Sequence, residues 1–265
     1  MTDAFISLGG SEDPVLQPVW TWMFEHRRLR SVPLWSAFLA FSAHLVFSVP
    51  FLVLDLLSPR ARWIQRYRLH AKPVSLSRWF RCLARIGCKY AAVVFPASAC
   101  LHHARMRFVL LETQRAVPSL LVACLESFSC LLVFDTLFFV VHYTVHRYPW
   151  LYQMFHSSHH TNRETFALAA QDSSISELVG QQILASCCPL LVGCHPVSEV
   201  LFYILNIWLA AEDHCGYDFP WATHRLLPWF GGAPFHQAHH QHFNKNYAPY
   251  FKHWDLIFGT AVKTC

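Results

Sequence analysis

Charge is scarce in this 265-residue chain: Asp, Glu, Lys and Arg make up 14% of it, against 54% apolar residues with 22 Phe among them. So few charges exclude an ordinary soluble domain and point to a chain with part of its surface in lipid. The net charge of +5 is modest and comes largely from one loop, so no nucleic-acid partner is expected. Ten cysteines form no Cys-x-x-Cys pair. Most lie inside apolar runs (Cys100, Cys124, Cys130, Cys187, Cys188) and read as small buried hydrophobes with free thiols. Asn-x-Ser/Thr, His-Glu-x-x-His, flavin and haem motifs are all missing. Residues 1–14 are acidic and polar, without the basic stretch and apolar run of a cleavable leader, so targeting is expected from an internal apolar segment.

What the chain does have is long apolar runs. Three are expected to be transmembrane helices: 32–57, with Pro50 as a kink; 90–101, beginning near Arg85; and 119–141, opened by Pro118-Ser119. A fourth apolar region, 178–211, is interrupted by Gly193-Cys-His-Pro196. Its halves, each about fifteen residues, suit a re-entrant hairpin better than two spans. Beyond Glu212 the chain is loop-rich, because the prolines and glycines of 217–234 exclude a long helix. The expected organisation is therefore an N-terminal segment 1–31, a three-helix membrane region 32–141 and a histidine-rich region 142–265 that contains the hairpin. The fold class is all-α, a multipass membrane protein with a helical cap.

Sidedness follows from charge. Arg60, Arg62, Arg66, Arg68, Lys72, Arg78 and Arg81 occupy one loop without a single acid. The positive-inside rule makes that loop cytosolic. Three crossings, and a hairpin that returns to its starting side, then put everything after Val141 outside the hairpin on the same face.

Eighteen histidines are the most specific feature. Eight fall in three groups: His142 and His146; His156, His159 and His160; and His236, His239 and His240. Spacings of i,i+3 and i,i+4 put side chains on one helical face, and imidazole is the commonest metal ligand. Eight imidazoles exceed the four that fill a tetrahedral zinc site and suit two metal ions. In each triplet two ligands share a face and a neighbour is turned aside, as a bridge between two metals requires. His214, just after the hairpin, can reach the cluster. Asp135 lies two turns before His142 on the same stripe and could orient its ring; Asp213 and His242 are the other flanking candidates for that supporting role. His26, His44, His70, His102, His103, His195, His224 and His253 read as surface or core residues.

Neutral imidazoles with few carboxylates nearby fit two iron ions with open positions for O2, and hence oxidation of an unactivated C–H bond with two external electrons. Zinc transport would instead need ligands at mid-membrane depth, where only His44, Glu126 and Asp135 are offered.

The clusters resemble the histidine boxes of the fatty acid hydroxylase/sterol desaturase superfamily of di-iron membrane oxygenases. The likeness runs from about Leu16 to Thr260 and is carried also by Phe134-Asp-Thr-Leu-Phe-Phe139, Gly193-Cys-His-Pro196, Asn206-Ile-Trp208, Glu212-Asp-His214 and His253-Trp-Asp255. It implies a multipass protein of the endoplasmic reticulum with the boxes on the cytosolic side. It also implies two Fe ions as cofactor, held by His142, His146, His156, His159, His160, His214, His236, His239 and His240. The implied partners are O2, membrane lipid, a membrane-associated electron donor (cytochrome b5 or a reductase) and cholesterol or a related sterol, hydroxylated at side-chain carbon 25. Another lipid C–H oxidation, at a sterol C-4 methyl or a fatty-acyl chain, is the runner-up, and a non-catalytic sterol-binding or scaffold protein that retains the fold is a third possibility. Phe235 and Gln237 stand where the third box commonly has His and Asp, and Val145 replaces a second His in the first. These departures are expected to alter the groups supporting the ligands.

Overall fold

A computed structural model describes residues 15–26, 34–109 and 116–262. Among these residues the fold is helical, with two isolated β-bridges and no strand. The elements used below are α1 (Gln17–Glu25), α2 (Trp35–Leu57), α3 (Leu76–Lys89), α4 (Phe95–Val109), α5 (Leu120–Arg147), α6 (Ile175–Val192), α7 (Pro196–Asp213), α8 (Gly232–His242) and α9 (His253–Ile257).

Three stretches are long and apolar enough to cross a membrane: Ala37–Leu57 of α2, the whole of α5 and the whole of α6. Their outward faces carry uncovered aliphatic residues such as Val46, Leu121, Val140 and Leu191, as a lipid-facing surface does. The second expected span differs. Residues 90–101 do not form a helix of their own: α3 runs through a π-turn, Tyr90–Val94, straight into α4. Pro96 accounts for the wide turn, because a proline lacks the N–H and its ring collides with the carbonyl four residues back. Only the two helices together reach membrane length.

The hairpin is also longer than its composition indicated. Both arms are 18-residue helices. Gly193, at φ 69°, terminates α6 in the left-handed conformation, and Pro196 occupies the first turn of α7, whose N-terminus the His195 ring caps by accepting from the Val197 N–H at 3.2 Å. The tip docks on the far end of α5. There the His195 N–H donates to Glu126 Oε2 at 3.0 Å, and the Ser127 hydroxyl donates to the Ser198 carbonyl at 2.8 Å. From Glu126 to Arg147 α5 rises about 31 Å, close to the thickness of a bilayer core. The hairpin therefore packs along α5 from Glu126 and Ser127 to the histidine end.

α7 is the central helix, packed on α2, α5 and α8. Trp208 on α7 meets Phe47 and Phe51 of α2. Buried Asp55 ties three parts together, accepting from Trp79 Nε1 of α3 at 2.9 Å and from the Tyr217 hydroxyl at 2.8 Å. The basic loop after α2 is stitched to the chain just beyond α7. The Leu69 N–H donates to the Gly216 carbonyl at 2.9 Å, the Asp218 N–H donates to the Tyr67 carbonyl at 2.7 Å, and His70 Nε2–H donates to the Thr165 carbonyl at 2.8 Å. The basic loop thus lies at the same end of the helices as the histidines.

Gly216 permits this crossing. Its φ is +79°, and a Cβ there would lie 2.9 Å from both His70 Nε2 and the Thr165 carbonyl oxygen. Gly216→Ala combines left-handed strain with a clash against backbone and should destabilise the protein by about 2 kcal/mol. The expected observation is a melting midpoint several degrees lower, and an unchanged midpoint would contradict this account of the loop crossing.

Candidate metal centre

The end of the bundle opposite the hairpin tip gathers all three histidine groups. His142 and His146 occupy the last turns of α5. His156 ends a π-turn, Tyr152–His156, and His159 and His160 begin the 3-10 turn His159–Thr161. His214 caps the C-terminus of α7, and His236, His239 and His240 lie on α8. Eight of the nine rings are buried and His146 is half-buried.

The nine rings divide into two sets: His142, His146, His156, His160 and His239; and His159, His214, His236 and His240, with the ligating atoms of each set within 4.8 Å of one another. The partition follows helical geometry. Each i,i+4 pair (142/146, 156/160, 236/240) shares a set, whereas the i+3 residue of each triplet, His159 and His239, crosses to the other. The two sets are thereby interlocked, each triplet serving both.

Tautomers follow from the outer hydrogen bonds, because a carbonyl or carboxylate can only accept. His142 Nδ1–H donates to the Tyr247 carbonyl at 2.6 Å, His214 Nδ1–H to the Ala210 carbonyl at 2.9 Å, His239 Nδ1–H to the Lys245 carbonyl at 2.6 Å and His156 Nδ1–H to Glu177 Oε1 at 2.8 Å. In these four neutral rings Nε2 is then a bare lone pair. Yet His142 Nε2 lies 2.8 Å from His156 Nε2, so two lone pairs face each other with no proton between them. His239 Nε2 is buried with no bond at all. Further Nε2 atoms converge on one another: His160 on His146 at 3.2 Å, His214 on His159 at 3.2 Å and on His236 at 2.9 Å, and His236 on His240 at 3.1 Å. The facing lone pairs of His142 and His156 repel each other unless a cation occupies the site, and the converging donor set fits two metal ions with imidazole ligands.

Burial supports the neutral state. It pulls His156 down to about 3 and His159 to about 4, and it holds His160, His214, His236, His239 and His240 well below the ordinary histidine value, with neighbouring rings adding to the effect. Deprotonated imidazole is the form that ligates.

The supporting residues differ from those expected. Asp135 orients no ring: it accepts from the Tyr250 and Phe251 N–H groups at 2.9 and 3.0 Å. Asp255 accepts from the Tyr247 and Ala248 N–H groups at 2.8 Å each. Between them these two carboxylates hold the segment whose Tyr247 carbonyl meets His142, so Asp135 acts at one remove. Asp213 is buried but accepts from no ring of the cluster, and His242 is exposed and turned away, because one step along α8 from the buried stripe leads out. Gln237 joins the third box to the loop after the second, taking the Thr165 N–H and hydroxyl at 3.0 and 2.8 Å and donating to the Arg163 carbonyl at 2.6 Å. It touches no ligating ring, so its replacement of a carboxylate leaves the four outer bonds described above intact. Glu177 was the residue to find. Its signal is Ser174-Ile-Ser-Glu177, an N-terminal capping pattern in which Ser174 Oγ accepts from the Glu177 N–H at 3.1 Å. The carboxylate is left free to reach His156.

Membrane-length helices ending in two interlocked polyhistidine sets define a class: membrane-bound proteins with a di-metal histidine site. The comparisons give the family. The fatty acid hydroxylase model matches residues 127–260. The chain is 42% identical over 248 residues to the cholesterol 25-hydroxylase-like protein of Danio rerio, covering 92% of this chain and 97% of the relative. It is 40% identical over 248 residues to cholesterol 25-hydroxylase of Homo sapiens, covering 92% and 90%. A methylsterol monooxygenase of Aspergillus fumigatus is 32% identical over 197 residues, covering 72% and 64%. No solved structure matches the chain. This protein belongs to the fatty acid hydroxylase family, a family of hydroxylating oxidoreductases.

Two measurements check the centre. In the metal-free protein, His156 and His159 reject protons that the unfolded rings accept near pH 6.5. Their contribution is complete above that pH and is lost as pH falls towards 4 and then 3, at about 1 kcal/mol per pH unit for each ring. Chemical denaturation of metal-free protein should show stability falling below pH 6.5; a flat profile from 6.5 to 4 would contradict neutral burial. Glu177→Ala removes the acceptor of His156 and should weaken metal retention against a competing chelator about 10- to 100-fold, read by metal analysis after dialysis.

Proposed function

We propose that this protein is a sterol hydroxylase of the endoplasmic reticulum membrane that carries two iron ions. It places a hydroxyl group on side-chain carbon 25 of cholesterol or a close relative, using O2 and electrons from a donor on the cytosolic side. The observation that carries this reading is the pair of interlocked histidine sets at one end of membrane-length helices, with at least four outer nitrogens engaged and the inner ones converging. The names of relatives near 40% identity support the substrate class. Iron is favoured over zinc by the number of neutral nitrogens and by the family's hydroxylating chemistry.

Two iron ions, when bound, supply activation of O2 for attack on an unactivated C–H bond. The chain supplies the rest. His142, His146, His156, His160 and His239 would hold one ion, and His159, His214, His236 and His240 the other. The Tyr247, Ala210 and Lys245 carbonyls and Glu177 hold the Nδ1 protons, so that Nε2 stays free and each ring keeps its direction. Burial of the rings excludes bulk water, which limits loss of electrons to side reactions. The sterol partitions into the bilayer around α2, α5 and the hairpin, so it can reach the cluster end without crossing water.

A mass-spectrometric oxysterol profile of cells expressing the chain tests this proposal. The wild type should produce 25-hydroxycholesterol. His239→Gln should abolish it and lower bound iron, whereas His242→Gln, three residues away but exposed, should do neither. Accumulation of a C-4-oxidised methylsterol instead would favour the second oxidation reading, for which the 32% identical methylsterol monooxygenase is the supporting observation. An unchanged profile with protein and iron present would overturn the sterol assignment.

A further inference from the structure

Next to the histidine cluster lies an open cleft of about 770 Å³, walled by the first turns of α3 and by the loop that follows the second histidine group. Arg78, Arg81 and Arg85 recur at i, i+3 and i+7 on α3, and Arg163 faces them from the loop. Two carboxylates also line the cleft, and both are already neutralised. Asp172 is paired with Arg85 and with Lys89 at 3.3 Å, and Glu164 is paired with Arg78 at 3.4 Å. Four arginines against two carboxylates leave a net positive cleft, and Arg81 and Arg163 are its exposed cations without an ion pair among the described residues.

Directly behind the lining of this cleft are side chains that meet the ligands. The Arg163 guanidinium lies 5.7 Å from the centre of the Phe243 ring, and that ring packs on His160 at 4.8 Å between centres. Phe243 holds this place in the left-handed conformation, φ 59°, a strained state for a bulky aromatic residue and one that the surrounding structure must enforce. A second connection runs from Asp172 to its neighbour Ser173, whose hydroxyl lies 3.2 Å from His159 Nδ1. The cleft is therefore one residue layer from both histidine sets, Phe243 leading to one and Ser173 to the other.

We propose that this cleft docks an acidic one-electron carrier protein and that reducing equivalents enter through the layer behind its lining, at Phe243–His160 and Ser173–His159. The assignment rests on the hydroxylase reading above. One substrate C–H, one O2, two electrons and two protons give one C–OH and one water, so a one-electron carrier must be oxidised twice per turnover. Positive charge around a concave surface speeds the repeated encounter and orients an acidic partner. Proximity to both histidine sets favours such a carrier over an anionic lipid headgroup, which has no reason to sit beside the cluster.

The full-length protein in phosphatidylcholine nanodiscs would be titrated with the soluble haem domain of cytochrome b5 as the acidic carrier. At low salt, Arg81→Glu with Arg163→Glu should raise Kd at least tenfold, and Arg81→Lys with Arg163→Lys should stay close to wild type. Arg60→Glu with Arg62→Glu, the same charge change outside the cleft, should shift Kd less than twofold. Equal weakening by both charge-reversal pairs, or wild-type binding by the cleft pair, overturns the proposal. So does a cleft pair that loses only affinity for phosphatidylserine added to the discs, which would make a lipid headgroup the occupant. Product formation separates the two levels of inference. The cleft pair should lose carrier-driven hydroxylation and keep it with a small chemical reductant, whereas a wild type inactive with either source fails the hydroxylase reading and leaves the binding result to decide the docking site.

Discussion

Everything at the functional end of this molecule depends on hydrogen bonds made by the outer nitrogens of buried imidazoles. A neutral ring has one proton and two nitrogens, so tying Nδ1–H to a carbonyl or carboxylate decides which lone pair faces inward. Three of these acceptors are main-chain carbonyls, of Tyr247, Ala210 and Lys245, and the fourth is Glu177. Each places its own demand on the fold. The Ala210 carbonyl comes with the last turn of α7, and the Lys245 carbonyl comes with the turn after α8. Tyr247 is in place because Asp135 and Asp255 hold the following backbone, and Glu177 because Ser174 starts α6 where it does.

The long helices are then a frame that brings ligands from distant parts of the chain to one depth. α5 delivers the first pair, α7 delivers His214, and α6 delivers the carboxylate that steadies His156. Because the hairpin packs along α5 from Glu126 to the histidine end, its two ends are set by contacts some 30 Å apart: Glu126 and Ser127 at the tip, and the histidines at the base. A ligand on such a hairpin is positioned by rigid elements, which is the condition for holding several nitrogens on a small ion. The basic loop closes the same end, since Leu69, His70 and Tyr67 bond to Gly216, Thr165 and Asp218 around the cluster.

Much of this was legible in the residues. Low charge and long apolar runs imply a membrane protein, and the His-x-x-His-His repeats with their i,i+4 partners imply two metals whatever the fold. All nine histidines singled out by spacing and resemblance meet in space. The helix punctuation at Ser119 and at Gly193-Cys-His-Pro196 was equally plain, because capping and proline effects are local. Less was legible where composition had to stand for geometry. The 90–101 stretch looked like a separate span, but Pro96 widens one turn of a longer helix without ending it. The hairpin arms looked short because their polar ends, which carry Glu177 and Glu212-Asp213, belong to the helices and face the cluster end.

Sequence by itself determined the type of chemistry: which side chains can bind metal, how each motif divides into an i,i+4 pair and an odd neighbour, and which loop bears the positive charge. Those properties depend on residue identity and on periodicities of a few residues. Only the tertiary structure decided which set each ring joins, and that Asp135 serves a backbone segment while Glu177 serves a ring. It also decided that His242 turns outward while His239, three residues earlier, is buried, and that four arginines border a cleft one residue layer from the ligands. These outcomes turn on distances between residues remote in the chain, and a hydrogen bond is gained or lost over less than an ångström.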